Sequence, residues 1–367
     1  MTDREAIVFR TDASVQIGTG HVMRCLTLAD ALRDQGRECH FICREHPGHL
    51  VESIRSRDFP VHVLPVPDET REQDVTLEPA HAMWLGVPWG IDAEQTANIL
   101  RRLHPRWVVV DHYALDARWE ALVVPQGSRL MVLDDLADRS HEADVLLDQN
   151  LGRQADDYAA LVPERCRPLI GPRYALLRPE FARLREESLQ RRQSPRLERL
   201  LVSMGGMDKD NATGKVLDAL RAAPLPPDLQ IDVVMGGNAP WLRQVRDQAT
   251  AMQRPTRVMV DIPDIAQRMV EADLAIGAAG STSWERCCLG LPAVMVVLAE
   301  NQRRIAAALA AAGACICLDD AGALMELSER WSAWTQPGTL RAMSRASASI
   351  TDGEGAGRVC QQLNQEA

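Results

Sequence analysis

Gly18-Thr19-Gly20-His21 puts two glycines and an imidazole where a short apolar run, Ala6 to Arg10, gives way to a helical pattern. Glycines let the backbone approach a ligand closely, and the first turn of a helix offers N–H groups with no intrahelical partner, a combination suited to phosphate. A full dinucleotide fingerprint needs a third small residue three positions after the second glycine. Met23 stands there, which argues against NAD. At the mouth of such a loop His21 is a candidate general base: a helix N-terminus favours neutral imidazole, and neutral imidazole can take a proton from water. The competing reading of a single histidine is a structural one.

A second loop, Gly277-Ala278-Ala279-Gly280-Ser281-Thr282-Ser283, lies between an apolar run and the helical Trp284-Glu285 segment. Small residues, hydroxyl donors and a helix start suit a diphosphate, and Glu285, one turn in, could accept from ribose hydroxyls. The alternative is a well-capped helix with a small-residue turn. Gly205-Gly206-Met207-Asp208 is a third strand-to-helix loop. Asp208 and Asp210 have the spacing of a metal-binding DxD, but just before Asn211 and a helix the capping reading is stronger. Asp134, Asp135 and Asp138 could hold Mg²⁺, although a solvated turn is the simpler reading. Asp111-His112-Tyr113 closes an apolar strand, where His or Tyr would point towards a ligand.

These loops need elements to position them. Twelve short apolar runs alternate with helix-period segments, six in each half, from Ala6 to Arg10 through Cys315 to Leu318. Near-continuous Val/Ile/Leu runs are characteristic of parallel strands buried on both faces. Val22, Cys25, Leu26, Ala29 and Leu32 fall on one helical face that Gly36 can close. The repeated strand–helix–strand pattern predicts doubly wound α/β domains. At 367 residues two domains are expected: residues 1–175, a polar and partly helical linker over 176–197, and residues 198–367. Trp84-Leu85-Gly86 sits in a longer excursion inside the first domain, as functional loops often do.

Composition removes several function classes. A net charge of −10 opposes general binding to nucleic acid or to an anionic membrane. No apolar stretch reaches the ~18 residues needed to span a bilayer, and the charged N-terminal residues lack the apolar core of a signal peptide. A cytoplasmic protein is expected. The nine cysteines show neither a disulfide framework nor zinc-finger spacing, so most are read as core residues.

Taken in order, Arg10-Thr11-Asp12-Ala13-Ser14 through Gly18-Thr19-Gly20-His21-Val22-Met23-Arg24-Cys25-Leu26, Asp111-His112-Tyr113, Asp134-Asp135-Leu136-Ala137-Asp138, Leu147-Asp148-Gln149-Asn150-Leu151-Gly152, Gly171-Pro172-Arg173-Tyr174, Ser203-Met204-Gly205-Gly206, Gly280-Ser281-Thr282-Ser283-Trp284-Glu285 and Asn301-Gln302 form a specific set. With them the chain resembles the UDP-sugar hydrolases of pseudaminic acid biosynthesis, which release UDP from a 2,4-diacetamido-2,4,6-trideoxy-altrose nucleotide. It is similar also to the related spore-coat polysaccharide proteins. The resemblance implies two Rossmann-like α/β domains facing across a cleft, as in metal-independent glycosyltransferases of the GT-B type, with the nucleotide held mainly by the second. It implies His21 as the base that activates water, Tyr113 assisting at the sugar and Asn301 near the phosphates or sugar. Ser281, Thr282 and Glu285 would bind UDP. Asp12, Gly18, Gly20, Arg24, Gly205, Gly206, Gly280 and Gln302, in the matching stretches, are expected at the substrate. No cofactor and no metal is expected, and the partner is a UDP-linked diacetamido-trideoxy sugar.

The chemistry is consistent with these residues. Attack by water at the anomeric carbon passes through an oxocarbenium-like state, and the leaving diphosphate needs charge stabilisation rather than protonation. Two rival readings stay open. A glycosyltransferase of the same architecture would replace water with an acceptor hydroxyl. A non-catalytic nucleotide-sugar sensor would need the Gly280 loop and Glu285 but not His21.

Overall fold

The computed structural model describes residues 6–66 and 79–365. Seven strands form the first sheet: β1 (Ile7–Thr11), β2 (Cys39–Arg44), β3 (Val61–Leu64), β4 (Trp107–Asp111), β5 (Arg129–Leu133), β6 (Val145–Asp148) and β7 (Arg167–Ile170). The second sheet has six: β8 (Arg199–Ser203), β9 (Gln230–Met235), β10 (Thr256–Val260), β11 (Leu274–Ala278), β12 (Ala293–Val296) and β13 (Ile316–Leu318). Their orders are β3-β2-β1-β4-β5-β6-β7 and β10-β9-β8-β11-β12-β13. Every ladder between these strands is parallel. Each sheet thus carries the doubly wound order, with its reversal at β1/β4 in one and β8/β11 in the other.

Continuous apolar runs give this result because both faces of each sheet are covered. Along β4, Trp107 and Val109 enter one apolar cluster with Ile7, Phe9, Leu26 and Leu28, while Val108 and Val110 enter another with Val8, Leu100 and Trp119. The period of two is present, but both phases are hydrophobic. In the second sheet Leu200, Val202, Ile231, Val233, Leu274 and Ile276 pack with Val216, Leu217 and Leu220 of the Ala212–Ala222 helix. Two Rossmann-like α/β domains, as the sequence predicts, are therefore present. Strand β7 is absent from the sequence reading: it is four residues long and contains Pro168, tolerated there because β7 is an edge strand.

The chain divides into Met1–Leu176 with Ala356–Ala367, and Leu177–Gly355. This departs from the expected boundaries in two places. Residues 176–197 are not a free linker, because the Pro179–Arg191 helix belongs to the second unit. Its polar side chains are spent on buried carbonyls: Ser188 donates to Leu289 O (2.7 Å), Arg185 to Ala348 O (2.6 Å), and Arg192, just beyond the helix, to Met269 O (2.7 Å). Low apolar content therefore did not mean exposure.

The other departure is the last helix, Gly355–Gln365, which returns to the first unit. Val359, Cys360 and Leu363 join the core around Phe9 and Leu32, and Arg358 donates to Arg173 O (2.9 Å). The turn before it needs Gly353: at φ +90 an added Cβ would lie 2.8 Å from Cys288 Sγ. Leu363→Ala should destabilise the first unit by about 2–5 kcal/mol, the usual range for an apolar side chain cut from a core. Amide exchange should then quicken in β1–β3 while β8–β11 keep their protection. Faster exchange confined to β8–β11 would contradict this assignment.

Candidate active site

In sheets of this order ligands bind beyond the carboxyl ends of the strands, beside the reversal. In the first unit that edge carries His21 after β1 and Asp111-His112-Tyr113 at and after β4. His21 is the second residue of the Gly20–Asp34 helix. The preceding loop is set by Ser14, whose hydroxyl accepts from Gln16 N (3.1 Å) and Ile17 N (2.9 Å), and by Gly18 at φ +83. His21 Nδ1 lies 2.5 Å from Asp111 Oδ1. Arg24, one turn on, grips the same carboxylate through Nε (2.6 Å) and Nη2 (2.7 Å). Burial pushes the Asp111 carboxyl up, but Arg24 and His21 outweigh it and hold it well below the usual carboxylate range. An ionised Asp111 only accepts, so the neutral form of the ring carries its proton on Nδ1 and leaves Nε2 as the acceptor. Nε2 has no hydrogen bond to a described residue.

Around this pair runs a second layer. Arg24 Nη1 (2.7 Å) and the Tyr113 hydroxyl (2.5 Å) both donate to Asp135 Oδ2, and Asn150 Nδ2 donates to Asp135 Oδ1 (2.8 Å). Tyr113 stands edge-on to the His21 ring with centroids 4.6 Å apart. Asp134 accepts from Arg139 (2.8 Å), Tyr158 (3.0 Å) and Ala137 N (2.8 Å). The acidic group at 134–138 is therefore neither a solvated turn nor a set of free metal ligands. Its two adjacent carboxylates are consumed by arginine and tyrosine.

Two of the expected substrate residues, Asp12 and Arg24, are buried among internal partners. Asp12 is fully buried and offers no surface to a ligand. It accepts from Arg10 (2.7 Å) and from Arg44 N (2.6 Å), and His112 Nε2 lies 3.2 Å from its other oxygen. Burial opposes its charge, yet Arg10, His112 and His46 keep the carboxyl well below its ordinary value. Arg10 in turn forks onto Asp92 (2.7 and 3.3 Å), which also accepts from Trp119 and Arg44. Asp12 is thus the inner hub that ties β1, β2 and the residue after β4. Arg24, also buried, has its guanidinium engaged by Asp111 and Asp135, so it orients other groups rather than reaching outward.

Three participants were not assigned from sequence. In sequence Asp111 is only the end of an apolar strand, and its partner His21 lies 90 positions away. His81 and Trp84 come from the excursion before β4. Trp84 stacks on Tyr113 at 5.6 Å and lies 6.4 Å from His21, and His81 lies 4.5 Å from Trp84. The signal was an aromatic and a histidine in a long loop. Gly86, at φ +72, lets that loop settle on His46, whose ring would meet an added Cβ at 2.7 Å.

In the second unit Gly205-Gly206, Gly280–Glu285 and Asn301-Gln302 follow β8, β11 and β12, three neighbours in the sheet. Gly205 has φ +95, and space is open where Gly205, Gly206 and Gly280 would carry a Cβ. Neither Ser281 nor Thr282 makes a side-chain hydrogen bond within the described residues, and Ser281 is exposed. Glu285 is half-buried, and no described residue donates to its carboxylate; burial pushes its carboxyl up to about 6, with Arg178 and Arg286 pulling the other way. Asn301 is exposed, while Gln302 is partly used, accepting from Leu298 N (2.9 Å). Asp208 caps the following helix through Ala212 N (2.7 Å) and Thr213 N (2.9 Å), as the capping reading expects. All nine cysteines are free thiols and seven are buried. No helix among the described residues is long and apolar enough to cross a membrane.

Fold and loops together define a class, a pair of Rossmann-like domains of the GT-B type. MurG from Acinetobacter baumannii superposes with a TM-score of 0.68 at 16% identity, covering 98% of this chain and 99% of that one. The MnaA–UDP structure from S. aureus gives 0.62 at 11% identity over 99% and 96%. Residues 209–357 match the glycosyltransferase family 28 C-terminal domain. More particularly, the chain is similar to UDP-2,4-diacetamido-2,4,6-trideoxy-beta-L-altropyranose hydrolase from Campylobacter jejuni, 26% identical over 84% of this chain and 97% of that protein. It is also similar to the spore coat polysaccharide biosynthesis protein SpsG of Bacillus subtilis, 32% identical over 40% of this chain and 42% of that one. The resemblance read from the motifs is borne out.

Asp111→Asn should lower the stability of the first unit towards the low end of about 3–5 kcal/mol, since Arg24 keeps Asp135 but loses a buried countercharge. Denaturant unfolding monitored in that unit checks this. ¹⁵N NMR of the histidine rings should show His21 losing its fixed Nδ1–H form; an unchanged tautomer would contradict the assigned pairing.

Proposed function

We propose that this chain is a nucleotide-sugar hydrolase that releases UDP from a UDP-linked 2,4-diacetamido-2,4,6-trideoxy sugar. The observation that carries this reading is the His21–Asp111 pair (2.5 Å) beside a glycine loop at the reversal of the first sheet. The likeness to the Campylobacter jejuni hydrolase over nearly that protein's whole length supports it and suggests the sugar.

In this reading His21 Nε2 takes a proton from water as the water oxygen attacks the anomeric carbon. The bond from that carbon to the diphosphate oxygen breaks with inversion, and UDP departs as an anion. Charge builds on carbon as an oxocarbenium-like state and on the leaving diphosphate. Asp111 stabilises the imidazolium that forms. The Gly280-Ser281-Thr282 loop meets the diphosphate with hydroxyls and backbone N–H groups, and Glu285 accepts from the ribose hydroxyls. Asn301, after β12, contacts the phosphates or the sugar.

A glycosyltransferase is the second reading, favoured by the family 28 match over residues 209–357. It keeps the same base and the same leaving group but replaces water with an acceptor hydroxyl. UDP and free sugar formed in equal amounts without acceptor support the hydrolase, whereas turnover only with an added acceptor overturns it. His21→Phe should abolish turnover and leave UDP affinity within about twofold, because positioned acid–base groups contribute about 10²–10⁴-fold to rate rather than to nucleotide binding.

Glu285 adds a pH test. With its carboxyl pushed up to about 6, it is increasingly neutral below that pH and ceases to accept two ribose hydrogen bonds. UDP affinity should therefore fall from pH 7 to pH 5 more steeply in wild type than in Glu285→Gln. The ionisation of the UDP phosphate is common to both proteins and cancels in the comparison. Parallel pH profiles would sink the ribose assignment.

A further inference from the structure

Asp135 is the acceptor at which three donors converge: Tyr113 OH (2.5 Å), Arg24 Nη1 (2.7 Å) and Asn150 Nδ2 (2.8 Å). A phenol has a single proton to give, and a carboxylate paired with arginine only accepts. The Tyr113 hydroxyl proton is therefore directed at Asp135, and the lone pairs on its oxygen are all that remain for another partner. Burial, followed by the neighbouring Asp135 charge, raises the Tyr113 phenol well above its ordinary range, so the hydroxyl stays protonated in this arrangement. The same ring stands edge-on to His21, the proposed base.

We propose that Asp135 is a positioning residue for the reaction: by accepting the hydrogen bond of the Tyr113 hydroxyl, it leaves Tyr113 solely a hydrogen-bond acceptor towards the attacking water. Water then donates one hydrogen to His21 Nε2 and the other to the Tyr113 oxygen, leaving an oxygen lone pair for the anomeric carbon. As the carbon–oxygen bond forms, the first proton passes to His21 and the bond to the diphosphate breaks, its electron pair leaving with UDP. Tyr113 neither gives nor takes a proton. This rests on the reading of His21 as the base. It goes further by fixing the polarity of Tyr113, which excludes it as the acid for the leaving group.

The test is a double-mutant cycle on UDP release, using Asp135→Ala, Tyr113→Phe, the double variant, and His21→Phe as a separate arm. Asp135→Ala should lower kcat about 10–100-fold, the scale of a misplaced reacting group, with KM and UDP affinity within about threefold of wild type. Tyr113→Phe should show a similar loss. In the double variant the two losses should overlap, leaving it within about threefold of the poorer single variant. Should Asp135→Ala not fold, Asp135→Ser takes its place in the cycle. A wild-type kcat in the Asp135 variant, or losses that multiply, would overturn the proposal, since an ion pair that merely supports the fold has no reason to share its effect with the Tyr113 hydroxyl. An active His21→Phe would instead refute the base itself, and an inactive one beside an unaffected Asp135 variant refutes the positioning role alone.

Discussion

A single carboxylate, Asp111, organises the first unit's edge. It ends β4, lies fully buried, and receives both His21 and Arg24 from the helix that follows β1. Without the arginine, burial would favour the neutral acid and leave the imidazole with no anionic partner. With it the carboxylate stays ionised, and the histidine proton is fixed on one nitrogen. Arg24 then links this pair to Asp135, and Asp135 to Tyr113 and Asn150. His21 is thus tied to a carboxylate at the end of β4, a second one after β5 and an amide after β6.

The doubly wound order is what makes such a chain of contacts feasible. Because β1 and β4 are neighbours despite the residues between them, the helix after β1 can reach the end of β4. The adjacent order β4-β5-β6 supplies the next two carboxyl-end loops in turn. Behind this edge, the Arg10–Asp12–Asp92–Arg44 cluster anchors the same strands without facing a ligand. Breaking one partner of such a buried cluster is costly, even though an apolar replacement of the whole could be tolerated. The second unit repeats the sheet order but carries a different edge, of glycines, hydroxyls and one half-buried glutamate, better suited to phosphate and ribose than to acid–base work.

Much of this was legible in sequence because it is local. Buried parallel strands leave apolar runs, and the glycine loops with His21, Tyr113 and Glu285 sit directly at their ends. What could not be read depends on distant pairs. Asp12 lies in a motif yet points inward, because the Arg10 and Arg44 that claim it are themselves buried. Asp135 has the sequence context of a solvated acidic turn, and only the fold brings Tyr113, Arg24 and Asn150 around it. Its arginines give the Pro179–Arg191 segment the composition of a linker, whereas in the fold Arg185 donates to the carbonyls of Cys288, Thr351 and Ala348 and Arg191 pairs with Asp273. The return of the last helix to the first unit has no local signature beyond an apolar face.

The central claim is that His21, fixed by Asp111, directs water at the anomeric carbon of a UDP-sugar. Turnover of UDP-2,4-diacetamido-2,4,6-trideoxy-altrose in ¹⁸O-labelled water, with EDTA present and products resolved by mass spectrometry, tests it most directly. Label in the free sugar and none in UDP is the predicted result. Label in UDP would mean attack at phosphorus and would contradict the account.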